Sequence, residues 1–273
     1  MNSIYIVIVI YKTSLFEAES YKTLIAPNRI ENFFVYDNSP EEGYTNEDLL
    51  PKGCVFVHDK ANGGLSKAYN RGAEMARQLG YTHILLLDQD TKFESNAWNV
   101  YLQNLEFPGM IVPLMKTTTG AAFSPVCISG LFSCAAKGLV SGEYSLNAYA
   151  AVNSGCCIPV DLFYKAGGYV DNVKLDFADF QFQLRLRHVQ PFFRVIDTTA
   201  IQDFSNDCRE ISKVKTRYEL YLESARHYEA DGFTTKARHL CDVVKHTLSL
   251  TTRMRSAYFL HKFITHYLIN SKS

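Results

Sequence analysis

One stretch of the sequence indicates the architecture of this chain most clearly: His83-Ile84-Leu85-Leu86-Leu87-Asp88-Gln89-Asp90-Thr91. Its apolar run has the length of a buried strand, and the run stops at two aspartates that flank one glutamine. The side chains of Asp88 and Asp90 can converge on one cation, and their hard oxygen atoms suit Mg²⁺ or Mn²⁺. Such a cation would neutralise charge on a departing diphosphate. The alternative is a turn in which the same aspartates cap the next helix.

Strands and helices alternate on the N-terminal side of this stretch. Strands are predicted over 4–11, 32–37 and 54–59, and helices over 14–26 and 66–79. This alternation predicts an α/β fold with a parallel sheet and helices on its faces. Ligands of such sheets bind beyond the carboxyl ends of the strands. Because Asp37, Asp59 and Asp88 each end an apolar run, we expect the chemistry at this edge.

A glycine-containing block opens the predicted helix over 66–79. It reads Asn62-Gly63-Gly64-Leu65-Ser66-Lys67-Ala68-Tyr69-Asn70-Arg71-Gly72. Glycines let a backbone approach a ligand closely, and a helix N-terminus offers unpaired N–H groups to phosphate. Lys67 and Arg71 would add positive charge. The alternative is a plain loop with turn residues, followed by solvated basic side chains.

The remainder of the chain divides into a less regular part and a helical part. Residues 106–155 contain short strands whose order cannot be predicted, whereas the apolar spacing from Ile211 onward is helical. We therefore predict a catalytic domain over 1–204, with a nucleotide half (1–108) and an acceptor half (109–204). A helical C-terminal extension is predicted over 205–273.

Composition narrows the functional classes. Lys and Arg total 28, as do Asp and Glu, so the net charge of zero argues against a nucleic-acid partner. The seven cysteines lack C-x-x-C spacing and include an adjacent pair, which favours a reducing compartment over a disulfide framework. The first residues lack the features of a signal peptide, and no apolar run is long enough to cross a bilayer. These features predict a cytoplasmic protein.

Residues 245–273 are predicted to form a basic, aromatic, amphipathic helix. Arginines and lysines alternate there with large apolar side chains, such as Phe259, Phe263 and Leu268. One interpretation is peripheral contact with the anionic inner face of the cell membrane, close to a lipid-linked acceptor. The alternatives are packing on the chain's own domain or on a second subunit in a homodimer.

Four stretches resemble the family 2 glycosyltransferases in order and spacing. They are Ile8-Val9-Ile10-Tyr11, Val35-Tyr36-Asp37-Asn38-Ser39, the block from Asn62 to Gly72, and Leu87-Asp88-Gln89-Asp90-Thr91. The last two are most similar to the rhamnosyltransferase-type branch that builds bacterial surface polysaccharides. The resemblance covers about residues 4–228. It implies a GT-A-type, Rossmann-like nucleotide-binding domain with a mixed sheet, and a nucleotide-diphosphate sugar of the UDP or dTDP type as donor.

The resemblance also implies a donor-binding site, in which Asp37 accepts an N–H of the base. The implied donor contacts are Tyr11, Asp37, Asn38, Asn62, Gly63, Gly64, Lys67, Asn70, Asp88 and Gln89. Without the matched order, Asp37 and Asn38 would equally be a turn at a strand end, and Tyr11 an aromatic residue at the sheet edge.

On the acceptor side, the resemblance extends to Asn153-Ser154-Gly155, to Ala166-Gly167-Gly168-Tyr169 and to the segment 175–187. It implies that Asp179 is the catalytic base, which takes the proton of the acceptor hydroxyl. Gly155, Asp176 and Arg185 are predicted to contact the acceptor. The alternative for Asp179 is a carboxylate that stabilises a helix N-terminus.

The sequence departs from the family at two places. Ala178 and Gln181 stand where many relatives carry acidic residues, so acceptor contacts are expected to differ. Gln202 and Asp203 stand where relatives often have a histidine at the metal or diphosphate. We therefore predict a metal site formed by Asp88, Asp90 and Asp203, with Gln202 as the other candidate for the third position.

These observations predict an inverting, metal-dependent glycosyltransferase that acts on a saccharide or a lipid-linked saccharide in surface polysaccharide synthesis. One alternative is a transferase-like domain that binds a nucleotide sugar or a partner chain without turnover. The other is a phosphatase that uses an aspartate as nucleophile. Phosphatases of that kind usually place the acidic pair after the first strand, whereas here it follows the fourth.

Overall fold

The structure is a computed structural model that describes residues 3–130, 132–136, 138–202 and 210–269. Its strands are β1 Ile4–Ile10, β2 Phe33–Asp37, β3 Val55–His58, β4 His83–Asp88, β5 Lys92–Phe93, β6 Ile111–Lys116, β7 Ala122–Ser124, β8 Val126–Cys127, β9 Cys134–Ala135, β10 Gly142–Ser145, β11 Tyr149–Ala150, β12 Cys157–Pro159 and β13 Phe192–Ile201. Its α-helices are α1 Gly64–Gln78, α2 Ala97–Leu102, α3 Val160–Lys165, α4 Ala178–Leu186, α5 Ile211–Arg226, α6 Phe233–Arg253 and α7 Tyr258–Lys262.

Of the described strands, ten form one mixed sheet with the order β10-β13-β6-β12-β4-β1-β2-β3, with β5 on β13 and β7 on β6. The four predicted N-terminal strands are confirmed, and β4, β1, β2 and β3 pair in parallel. β12 runs antiparallel between β4 and β6. The three remaining strands form a small sheet, β11-β8-β9. The carboxyl ends of β1, β2 and β4 therefore meet at one edge, as predicted.

β1 is buried on both faces of the sheet, which explains its uninterrupted apolar sequence. Tyr5, Val7 and Val9 pack into a core that includes α1, α3 and α4. The other four residues of the strand, Ile4, Ile6, Ile8 and Ile10, point to the opposite face of the sheet. They pack into a second core with α2 and the segment after β1. The central strand thus separates two apolar layers.

Helix α1 begins at its glycines and ends where the sequence predicts. Gly64 has φ +87°, and a Cβ atom there would lie 2.4 Å from the carbonyl oxygen of Lys174. Leu65 N donates to that same oxygen at 2.7 Å. Gly80, with φ +74°, follows the helix in open space. Glycine at position 64 is therefore required by a close approach to the backbone at Lys174, whereas Gly80 only terminates the helix.

The C-terminal helices form a third core, in which Tyr218, Val243 and Phe259 are buried. Phe177, just before α4, packs against both this core and the core that contains α1. The predicted domain boundary at 204 falls among residues that lie outside the description, so the boundary stays a prediction. No helix in the described ranges is both long and apolar enough to cross a membrane.

Two helix predictions were wrong in detail. The predicted helix over 14–26 is a 3₁₀ turn, Leu15–Glu17, followed by a π-helix, Tyr21–Ile25. The chain is extended at Ala18, and Glu19 N donates to the carbonyl oxygen of Gln89 at 2.7 Å, which stops the first turn from continuing.

The predicted helix over 245–273 is also interrupted. Helix α6 ends at Arg253, Arg255 adopts a left-handed conformation with φ +47°, and the chain resumes as α7 and then the π-helix Phe263–Ile269. The break lets Phe259 and Phe263 enter the third core. Packing on the chain's own domain therefore accounts for part of this apolar surface.

Candidate active site

A cleft of about 720 Å³ lies at the carboxyl edge of the parallel strands. Its sheet side is lined by Tyr11, Asn38, Asp88, Gln89 and Asp90, and its α1 side by Asn62, Gly64 and Leu65. Its volume falls within the usual range of small-molecule sites, about 300–1,000 Å³. The predicted donor contacts that line the cleft are therefore together at the edge where ligands of such sheets bind.

Asp88 lies at the end of β4, in a network of hydrogen bonds. Tyr69 Oη donates to Asp88 Oδ1 at 2.9 Å, and the backbone N of Asp88 donates to Ser154 Oγ at 3.0 Å. Burial, and then the charge of Asp90, raise the pKa of Asp88 to about 6. Two carboxylates that lie close together and are partly shielded from water repel each other. Binding a cation between them would therefore be favourable.

Gln202 follows β13 and spans the acidic pair. Its Nε2 donates to Asp90 Oδ1 at 2.7 Å and to Asp88 Oδ2 at 3.3 Å. Two carboxylates and a side-chain amide provide only oxygen ligands, which is a donor set that fits Mg²⁺ or Mn²⁺. Within the described ranges, no three His, Cys, Asp or Glu side chains form a metal cluster. The predicted ligand Asp203 lies outside those ranges.

Gln89 and Tyr11 both line the cleft and are joined, since Tyr11 N donates to Gln89 Oε1 at 2.7 Å. Asp37 is buried, and its Oδ1 accepts from Ser39 N at 2.8 Å. Asn38 is only 4% exposed, and its Oδ1 has no hydrogen-bond partner among the described residues. A buried amide oxygen without a partner is unusual. Asn38 lines the cleft and Asp37 does not, and the donor contacts predicted for both residues stay predictions.

The start of α1 is held by Asp59, the aspartate that follows β3. Tyr36 Oη donates to Asp59 Oδ2 at 2.6 Å, Lys67 Nζ at 2.9 Å and Gly63 N at 3.2 Å. Burial opposes the charge, but these hydrogen bonds lower the pKa of Asp59 to about 2. Lys67 and Gly63 are therefore engaged in positioning the helix, and their predicted donor contacts stay predictions.

Asn70 lies farther along α1 and binds the turn after α3. Its Nδ2 donates to the carbonyl oxygen of Tyr169 at 2.9 Å and to Asp171 Oδ1 at 2.8 Å, and its Oδ1 accepts from Tyr169 N at 2.8 Å. The side chain does not line the cleft described above. Its predicted donor contact stays a prediction, and its observed contacts join α1 to the turn after α3.

Asp179 occupies the first turn of α4, two residues after Phe177, whose φ is +67°. Its Oδ1 accepts from Phe180 N at 2.8 Å. Burial raises the pKa of Asp179 to about 7, and the charges of Asp176 and Asp88 contribute in the same direction. Asp179 does not line the cleft, but it lies close enough to the acidic pair for the charge of Asp88 to act on it, and a pKa near 7 is suited to accepting a proton near neutrality.

Helix α5 forms the wall opposite the acidic pair. One face of the helix lines the cleft with Ser212, Lys213, Thr216, Arg217, Leu220, Glu223 and Ser224. Arg217 forms a bidentate ion pair with Asp176, with one N–O distance of 2.8 Å, and Lys174 Nζ lies 3.7 Å from Glu223 Oε1. These pairs join α5 to the segment that leads into α4.

The other two predicted acceptor contacts have internal partners. Gly155, with φ +84°, donates from N to the carbonyl oxygen of Leu86 at 2.8 Å and accepts from Tyr101 Oη at 2.7 Å. Arg185 donates to the carbonyl oxygen of Gly168. Neither residue lines the cleft. Both acceptor contacts stay predictions.

The sequence does not predict the residues that bind Asp88 from distant positions in the chain. Tyr69 and Ser154 carry no motif that indicates a contact with Asp88. For α5, the helical period predicts that Tyr218, Tyr221 and Leu222 are buried, and they are. The sequence also shows a polar stripe on another face of the same helix. It does not indicate that this stripe lines a cleft, because such stripes usually face solvent.

Comparison with known proteins bears on the fold. The sequence matches no protein-family model and no curated protein. Among solved structures, it is similar to GalNAc-T7 with UDP, GalNAc and Mn²⁺, with a TM-score of 0.54 and 12% identity over 98% of this chain and 58% of that chain. It is also similar to S. aureus TarS 1-349 in complex with UDP, with a TM-score of 0.52 and 13% identity over 98% of this chain and 73% of that chain.

The chain therefore spans less than two thirds of the GalNAc-T7 chain that it resembles. Identities this low carry information about architecture alone. The likenesses extend over almost the whole of this chain and agree with its mixed sheet, which includes the parallel strands β1 to β4. Taken together, these observations show that this chain has the GT-A-type glycosyltransferase fold.

Proposed function

We propose that this chain is a metal-dependent glycosyltransferase that moves a sugar from a nucleotide diphosphate to an acceptor hydroxyl. The observation that carries the proposal is the acidic pair Asp88 and Asp90 in the cleft at the carboxyl edge of the sheet. The cleft has room for a nucleotide, and the pair offers ligands for a cation that would hold the diphosphate. The GT-A-type fold supports the same activity.

The donor is proposed to be a UDP or dTDP sugar. The base would lie near Tyr11 and Asn38, where a buried amide oxygen has no partner among the described residues. Both neighbouring structures contain UDP, which supports this choice. A rhamnosyl group and a role in surface polysaccharide synthesis are supported by the sequence resemblance.

Asp88, Asp90 and the amide of Gln202 would hold the cation, which when bound supplies positive charge to the leaving diphosphate. Asp179 is proposed to take the proton of the acceptor hydroxyl. As that oxygen forms a bond to the anomeric carbon, the bond from this carbon to the diphosphate oxygen breaks on the opposite face. The transfer therefore inverts the configuration of the sugar.

A thermal-shift panel of UDP, dTDP and GDP, each with and without Mn²⁺, tests the donor site. A ligand that binds the native state raises the melting temperature by mass action. We expect one diphosphate to give a metal-dependent rise that an Asp88→Asn, Asp90→Asn variant loses. Asp161→Asn, at an exposed position in α3, is the matched control and keeps the rise. If no diphosphate shifts the transition, the proposal is wrong. Binding without turnover on any sugar supports the non-catalytic alternative.

The acceptor is proposed to be a saccharide or a lipid-linked saccharide. In the C-terminal segment, Leu260, Ile264 and Leu268 are 40–46% exposed at a helical spacing, which supports an interface there. Co-sedimentation with anionic vesicles would support membrane contact, and a doubled mass in light scattering would support a homodimer. If the chain neither sediments with the vesicles nor doubles its mass, and both assays work, an interface at this face is contradicted.

A further inference from the structure

Two cysteines face each other across the small sheet. Cys127 of β8 and Cys134 of β9 are direct partners in the antiparallel ladder. Side chains at such positions point to the same face, and the Cα atoms of directly opposite residues lie about 4.5–5.5 Å apart. Disulfide bonds span Cα–Cα distances of about 4.4–6.8 Å. The backbone therefore already holds the two residues at a distance that a disulfide bond can bridge.

The surroundings of the two thiols favour this bond. Cys134 is exposed and Cys127 is partly exposed, so small reagents can reach both. Cys127 Sγ lies 3.1 Å from Ser129 Oγ. Hydrogen bonding to Ser129 lowers the pKa of Cys127, and contact with the Cys134 thiol and the charge of Arg238 act in the same direction. Since the thiolate is the reactive form of cysteine, Cys127 is the nucleophile of the pair.

The loop between these two cysteines is bound to helix α6. Ser133 Oγ donates to Asp242 Oδ2 at 3.0 Å, and Arg238 Nε donates to the carbonyl oxygen of Gly130 at 2.7 Å. Ser133 also lines a small cavity together with Phe180 of α4, so the loop borders both helices. A covalent bond between β8 and β9 would restrict local opening of this loop and keep it on α6.

We propose that Cys127 and Cys134 form a reversible disulfide bond that holds the loop between β8 and β9 on α6. Neither cysteine lines the cleft at the acidic pair, so the inference does not depend on the proposed function. Disulfides of this kind in reducing compartments are usually transient and respond to the redox state.

The oxidant is a low-molecular-weight disulfide, of which oxidised glutathione is the example used below. The Cys127 thiolate attacks one of its sulfur atoms, a mixed disulfide forms, and one small thiolate leaves. Cys134 then loses its proton and attacks the sulfur atom of Cys127, and the second small thiolate leaves. The two cysteines are thereby oxidised by two electrons, and the small disulfide is reduced to two thiols. Excess small thiol reverses both steps.

Oxidation at graded ratios of oxidised to reduced glutathione tests the site in the whole chain. Free thiols are then alkylated, and the chain is digested with trypsin. Both cysteines lie in one tryptic peptide, 117–137, because the only lysine or arginine in that range is its last residue. In the oxidised chain, mass spectrometry is expected to find this peptide without alkyl groups and lighter than the reduced peptide by two hydrogen atoms. The number of free thiols should fall by two from the total of seven.

Single variants identify the partners. In Cys127→Ser and in Cys134→Ser, the remaining cysteine of the peptide is expected to carry glutathione or an alkyl group. Cys241→Ser removes another partly exposed cysteine and is the matched control, which keeps the internal bond. Circular dichroism shows whether each variant is folded. Complete alkylation of peptide 117–137 at every ratio would overturn the inference, as would a bond from either cysteine to Cys241 in its place.

Hydrogen exchange tests the effect of the bond on the loop. Oxidation is expected to slow amide exchange at residues 128–133 of the wild type, because local opening is restricted. Exchange in Cys134→Ser should be the same under oxidising and reducing conditions. If the internal bond forms in the wild type but exchange in this loop does not slow, the role of the bond in holding the loop on α6 is overturned.

Discussion

Asp179 is the residue whose replacement separates chemistry from binding. Asp179→Asn keeps the size of the side chain but cannot take a proton, so we expect turnover to fall by about 10²–10⁴-fold. The melting-temperature rise given by the diphosphate with Mn²⁺ should persist, because Asp179 does not line the donor cleft. Initial rates and thermal shifts measured on the same preparation check this. Loss of the shift together with turnover would mean that Asp179 supports the fold or the donor site instead.

The raised pKa of Asp179, about 7, predicts two pH dependences. The base must be charged to accept a proton, so kcat/KM should rise with pH through about 7. In the metal-free protein, the stability that the neutral carboxyl contributes is present below the pKa of an unfolded aspartate and is lost as pH rises through about 7.

Asp179→Asn removes this titration. Its melting temperature relative to the wild type should therefore increase between about pH 5 and about pH 8. The comparison is made by calorimetry without metal or nucleotide. A difference that is constant with pH would contradict a raised pKa at Asp179.

At the scale of single elements, α1 offers a matched pair of glycines. Gly64→Ala and Gly80→Ala both place a side chain at positive φ, which costs about 1–2 kcal/mol. Only at Gly64 does the new Cβ meet backbone, 2.4 Å from the carbonyl oxygen of Lys174. We expect the free energy of unfolding to fall by at least twice as much for Gly64→Ala as for Gly80→Ala, measured by urea denaturation. Equal losses would show that α1 does not need this close approach.

Breaking the ion pair between Arg217 of α5 and Asp176 is expected to change the kinetics of the enzyme more than its stability. Arg217 and Asp176 are partly exposed, so Arg217→Ala should cost no more than about 1 kcal/mol. Because Asp176 lies three residues before Asp179, we expect KM for the acceptor to rise and the rate to fall. Arg71→Ala, which breaks an exposed pair within α1, is the control. If both variants have wild-type kinetics, α5 does not position the segment before α4.

At the scale of the whole molecule, the C-terminal helices complete both the core and the cleft. Phe177 packs on their core, and α5 supplies one wall of the cleft. A chain that ends at residue 204 is therefore expected to melt at a lower temperature and to lose the diphosphate-dependent shift. Circular dichroism and the thermal-shift assay check this. A shorter chain that melts and binds normally would support residues 1–204 as an independent domain.

The sequence is sufficient to predict the parallel half of the sheet, because β1, β2 and β4 are continuous apolar runs, and β2 and β4 end in aspartates. It is insufficient for residues 106–155, since β7, β8 and β9 have only two or three residues each. Their partners are not determined by periodicity. β6 pairs with β13, which lies some eighty residues later, so the contact between Gln202 and the acidic pair depends on a distant register. Asn70, Gly63 and Gly64 are predicted to contact the donor, and the structure adds internal contacts of these residues that no local pattern indicates.

The position of β1 has a consequence for protein synthesis. This strand leaves the ribosome before both of its neighbours, yet it lies in the interior of the sheet, between β2 and β4, with all seven of its residues buried in the finished protein. Its second neighbour, β4, begins only at residue 83. Until that residue has emerged, one edge of a wholly apolar strand has no partner. The nascent chain is therefore expected to bind chaperones through Ile4–Ile10 and to release them when His83–Asp88 has emerged.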